Sequence, residues 1–165
     1  MLSMKQYNRF DFNKVVPAEN FLDPWWCGDV PYFDVLVDII ETQDKETCDY
    51  LLKELQKKGH CSMYGGMEVD VMYSVQNSND PTDVDEYTGN TEFRLEIQLE
   101  KIPTDKRTMY ELTMTLVCDL VAETEYNKEV IDTLQQTVKT KKFYKETEMT
   151  AYLKKWFDNV ANVNN

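Results

Sequence analysis

The stretch "TEFRLEIQLE", Thr91–Glu100, alternates without a slip. Phe93, Leu95, Ile97 and Leu99 fall on one side, and Glu92, Arg94, Glu96, Gln98 and Glu100 on the other. Successive side chains of a β-strand point to opposite faces, so this period of two predicts a strand with one face in a core and the other in water. A strand covered on both faces would read as a continuous apolar run instead.

Downstream, Pro103 and "TDKR" form a short turn into "MYELTMTLVCDL", Met109–Leu120. There Tyr110, Leu112, Met114, Leu116, Cys118 and Leu120 oppose Glu111, Thr113, Thr115 and Asp119. The short connection predicts an antiparallel pair. Upstream, Gly65-Gly66 reads as a turn into "MEVDVMYSV", Met67–Val75, which sets Met67, Val69, Val71 and Tyr73 against Glu68 and Asp70. A polar loop is expected over 76–90, with Asp80-Pro81 and Gly89-Asn90 as turn signals. "YFDVLVDII", Tyr32–Ile40, reads as a further strand, with Asp34 and Asp38 on its polar face.

Three segments have the helical period. Over 45–58, Cys48, Leu51, Leu52 and Leu55 form one stripe, with Asp44 as N-cap and Gly59 as terminator. A helix over 125–141 is expected from Tyr126, Val130, Ile131, Leu134 and Val138, capped by Thr124. The last, 148–160, is expected to be capped by Thr147 and to bury Met149, Leu153, Trp156, Phe157 and Val160. The order predicts an α+β fold: a two-layer domain with a mostly antiparallel sheet of about four strands and about three helices on one face. Residues 1–165 are expected to form one domain, with an irregular N-terminal segment, 1–31, and a frayed tail, 161–165.

An apolar fraction of 42% is enough for a packed core. No apolar run approaches the roughly 18 residues that a membrane span needs, and the start lacks the apolar core of a signal peptide. Cys27, Cys48, Cys61 and Cys118 have no short paired spacing, which predicts free thiols in a reducing, cytoplasmic compartment and no zinc site. The net charge is −12, and residues 1–100, with 20 acids and 8 bases, carry all of the surplus. Such a field repels free nucleic acid and anionic membranes.

Catalytic signals are weak. His60, the single histidine, sits beside Cys61 and Ser62, but sequence neighbours rarely form a nucleophile–base pair. Asp80, Asp83, Asp85 and Glu86 lack the periodicity of a calcium loop. No phosphate-binding glycine loop or nucleophile elbow is present, so neither a cofactor nor a catalytic residue is assigned. The feature that stands out is the polar face of the predicted sheet. Asp34, Asp38, Glu68, Asp70, Glu92, Glu96 and Glu100 should lie on it, with Arg94 as the lone base. Opposed like charges cost a sheet a few tenths of a kcal/mol per pair. Trp25 and Trp26, in the proline-punctuated "ENFLDPWWCGDVPYFD", cannot both enter one core from an extended chain, so one is expected to be an aromatic anchor at an interface.

These features predict a non-enzymatic, acidic protein-binding module for a basic partner protein, with an inhibitor that mimics nucleic acid as its sharpest form. The alternative is a small-molecule or peptide binder, with a pocket between the sheet and the C-terminal helices near Met67, Tyr73, Tyr110 and Met114. A hydrolase using paired carboxylates ranks third.

Overall fold

The computed structural model describes residues 32–77, 80–123 and 128–163. Two helices come first, α1 (Tyr32–Glu41) and α2 (Lys45–Lys58). Four strands follow: β1 (His60–Asn77), β2 (Asp80–Pro103), β3 (Thr108–Glu123) and β4 (Lys128–Phe143). Helix α3 (Glu146–Asn162) closes the chain. The strands form an antiparallel meander in the order β1-β2-β3-β4. With the three helices they make the expected two-layer α+β fold.

The central pair forms as the alternation requires. Phe93, Leu95, Ile97, Leu112, Met114, Leu116, Cys118 and Leu120 are all buried, and they share one core with residues of α1, α2 and α3. Helix α2 also matches its signals. The Asp44 carboxylate accepts a hydrogen bond from the Thr47 N–H at 2.7 Å. Gly59 ends the helix in the left-handed region at φ 82°, a conformation that costs glycine nothing. Helix α3 buries Met149, Leu153, Trp156, Phe157 and Val160 as expected, but its N-cap is Lys145 and not Thr147.

Two elements have the opposite type from the expected one. Tyr32–Glu41 is a helix and not a strand. Val35, Leu36, Ile39 and Ile40 are all buried, a stripe that a helix makes from positions one and four apart. In so short an apolar run, both periods fit the same residues. The segment expected as a helix over 125–141 is instead strand β4. Its pairing with β3 is interrupted twice, between Met114 and Thr115 and between Leu120 and Val121. Each interruption switches which residues face the core. Leu134 faces it opposite Cys118, Val138 is left unpaired and buried, and Phe143 then faces it opposite Tyr110. A bulged strand therefore places apolar residues at a spacing of four, which imitates a helix.

Of the expected loop over 76–90, residues 76–77 and 80–90 are strand. β1 and β2 stay in register from Val69 opposite Thr91 to Gln76 opposite Val84. The backbone ladder continues there although the sequence has no apolar alternation to announce it. Gly65-Gly66 is a bulge and not a turn, since the register jumps between Tyr64 and Glu68. Helix α1 crosses at this point. A Cβ on Gly65 would lie 2.5 Å from Asp38 Oδ2 and 3.2 Å from Ile39 Cα, so glycine is what lets the two backbones approach. The same carboxylate accepts from the Met67 N–H at 2.7 Å. Gln43, buried at the α1–α2 corner, donates to the carbonyls of Ile39 (2.9 Å) and Tyr64 (2.6 Å).

Candidate functional site

The register decides which polar residues meet on the face of the sheet away from the helices. Glu68, Glu92 and Asp119 stand directly opposite one another across β1, β2 and β3. Ser62, Glu96 and Thr115 form another row, and Tyr64, Arg94 and Val117 the row between them. Glu100 opposes Glu111, and Asp70 opposes Asn90. Five of the expected residues, Glu68, Asp70, Glu92, Glu96 and Glu100, thus share one face, and like charges are directly opposed on it.

Asp34 and Asp38 do not belong to that face, because they lie on helix α1 and not on a strand. Asp38 is used internally, on the Met67 N–H, and Asp34 is exposed on the helix. Trp25, Trp26 and Cys27 lie outside the described residues, as do the side chains of Asp83, Asp85 and Glu86.

Strand β4, read as a helix, supplies bases that the sequence reading left off this face. Lys128 Nζ is 2.9 Å from Glu92, and Lys142 Nζ is 4.0 Å from Glu111. Arg94 donates from Nε to Glu96 at 2.8 Å and from Nη1 to Asp119. Thr133 of β4 donates to the other Asp119 oxygen at 2.7 Å. Asp119 is buried, and so are Val117 and Val121 beside it, so this part of the outer face is not the open, solvated surface that alternation predicted. Burial works against the Arg94 charge, but hydrogen bonds to Glu96 and Asp119 outweigh it and hold the guanidinium above its ordinary pKa. The acids of this face without a basic partner among the described residues are Glu68, Asp70 and Glu100. Glu68 accepts from Asn90 Nδ2 at 3.1 Å.

A depression of about 310 Å³ opens on the same face, lined by His60, Ser62, Glu96, Gln98 and Thr115 among others. His60 and Ser62 point to this side, while Cys61 between them is buried in the core opposite Ile97. His60 and Cys61 therefore cannot act as a base and its nucleophile. Burial, together with the Glu54 charge, pushes the Cys61 thiol up to about 12. Burial, with Asp44, Asp49 and Asp158 adding to it, pushes Cys48 up to about 11. Neither thiol is a nucleophile near neutral pH. Among the described residues no group of three or more His, Cys, Asp or Glu is placed to hold a metal ion.

Of the inner-face residues expected to shape a pocket, the side chain of Tyr73 lies outside the described residues. Met114 is sealed in the core, and Tyr110 instead lines a cleft of about 490 Å³ at the end of the sheet, beside α2 and α3. No helix among the described residues is long and apolar enough to cross a membrane. The fold and this face define a two-layer α+β protein with a charged outer sheet face. No family model, curated protein or solved structure matches the chain.

Proposed function

We propose that the protein is a binding module for a basic partner protein in the cytoplasm, and that the partner docks on the outer face of the sheet through Glu68, Asp70 and Glu100, with the Glu92 and Glu96 carboxylates at the centre. A nucleic-acid-binding protein is the natural partner class, because carboxylates on a rigid sheet can occupy a cleft built for phosphates. One observation carries the reading: acids face acids in register, Glu68 against Glu92 and Glu100 against Glu111. A face under selection for stability alone gains by alternating signs at these positions, since each opposed pair costs a few tenths of a kcal/mol.

The test follows from which acids are free. Reversing Glu92 or Glu96 would set a new lysine against Lys128 or Arg94 and confound binding with stability. Glu68, Asp70 and Glu100 avoid this. An oligoarginine peptide, titrated at low ionic strength, should bind the triple variant E68K/D70K/E100K at least tenfold more weakly than the wild type. The control triple variant E46K/D105K/D158K has the same net charge but leaves the sheet face intact, and it should keep most of the affinity. Wild-type binding should fall as salt rises through about 0.15 M, where the screening length is near 8 Å. Equal losses in the two triple variants would show that net charge acts without a site, and the reading would fail.

A further inference from the structure

The cleft on the helix side of the sheet, where α2 ends and α3 begins, has a chemistry unlike the acidic outer face. Its floor is apolar: Leu99 and Tyr110, paired-strand neighbours at the end of the sheet, and Met149 from α3. Its rim is basic. Lys57 ends α2, and Lys101 lies just past Leu99 on β2; both line the cleft, and neither forms an ion pair among the described residues. Lys58 also lines it, but its ammonium is held by Glu54 at 2.7 Å. In a chain of net charge −12, two unpaired lysines over an apolar floor are a local reversal of sign.

A second feature points the same way. Helix α3 begins at this cleft, and Glu146, Met149 and Thr150, one side of its first turn, line it. The N-cap residue, Lys145, has an extended backbone and makes no side-chain cap bond. The first-turn N–H groups thus lack the side-chain acceptor that usually satisfies one of them, and they carry the positive end of a 17-residue helix. Glu146 is the single carboxylate in the lining and opposes an anion there.

We infer that this cleft binds a small amphipathic anion. Its acidic head is held by Lys57, Lys101 and the first turn of α3, and its short apolar tail lies on Leu99, Tyr110 and Met149. A volume of about 490 Å³ is within the range of small-molecule sites. The site is separate from the acidic sheet face, and its failure would leave the reading of that face untouched.

Octanoate, 1-octanol and octylammonium are the probes, followed by NMR shifts of the Met149 methyl and the Gly59 and Lys101 amides. Octanoate should shift these signals saturably and more tightly than 1-octanol. The variant K57Q/K101Q should weaken octanoate about tenfold or more, the worth of losing two charge-assisted contacts, and leave 1-octanol unchanged. E146Q, which removes the one opposing charge, should tighten octanoate. Unchanged far-UV circular dichroism would show both variants folded. The inference is overturned if octanoate gives no saturable shift at millimolar concentration, or if octanoate and 1-octanol respond alike to both variants. It is equally overturned if octylammonium binds best and is weakened by E146Q.

Discussion

Cys48 and Cys61 show how one environment silences a reactive group. Both thiols are buried, and burial raises their pKa values to about 11 and about 12, against 9.0 for an unperturbed thiol. Only the unfolded chain releases these protons just above pH 9, so alkali favours unfolding. Their contribution to stability is complete below about pH 9 and is lost as pH rises toward 11–12. Urea midpoints measured from pH 8 to pH 11 should fall for the wild type, and the C48A/C61A variant should fall less steeply. A thiol-specific colorimetric reagent at pH 8 should leave Cys48 and Cys61 of the native protein unmodified. Cysteine spacing predicted thiols outside disulfides, and the three described cysteines are buried thiols of that kind. The sequence also placed His60 beside Cys61, but adjacency along a strand is what puts them on opposite faces.

At the scale of elements, the tie between β2, β3 and β4 centres on Asp119. Its carboxylate takes bonds from Arg94 of β2 and Thr133 of β4, and it is buried where they meet. Asp119→Ala should cost about 2–3 kcal/mol in urea denaturation, because the Arg94 guanidinium loses a partner in a half-desolvated place and Thr133 loses its acceptor. Asp119→Asn should cost less, because it keeps an acceptor for Thr133. A loss within experimental error would mean that the network does not hold the strands together. Period-two reading found β2 and β3 because nothing interrupts their pairing with each other between Asn90 and Pro103. It missed β4 because two interruptions within the strand shift its parity, and it took α1 for a strand because four valines and isoleucines crowd a short run.

Across the whole molecule, Trp156 joins the layers. It is 3% exposed, meets Phe157 edge-to-face at 5.1 Å, and belongs to the single core that also takes in α1, α2 and all four strands. Trp156→Ala should therefore cost about 3–5 kcal/mol and lower one cooperative transition, read alike by circular dichroism and by NMR of the Met63 methyl on β1. Loss of α3 signals ahead of β1 signals would show that the last helix is a separate unit. The sequence by itself determined the fold class, the central strand pair, α2 with its caps, the buried face of α3 and the shared face of Glu68, Asp70, Glu92, Glu96 and Glu100. Each of these rests on local periodicity or on a cap, which is written within a few residues. Only the tertiary structure decided the type of α1 and β4, the removal of Asp34 and Asp38 from the sheet face, and the delivery of Lys128, Lys142 and Thr133 to it. Those outcomes depend on which strand lies beside which and in what register, and register is set by bulges and by packing against distant elements, to which a short stretch of sequence carries no local clue.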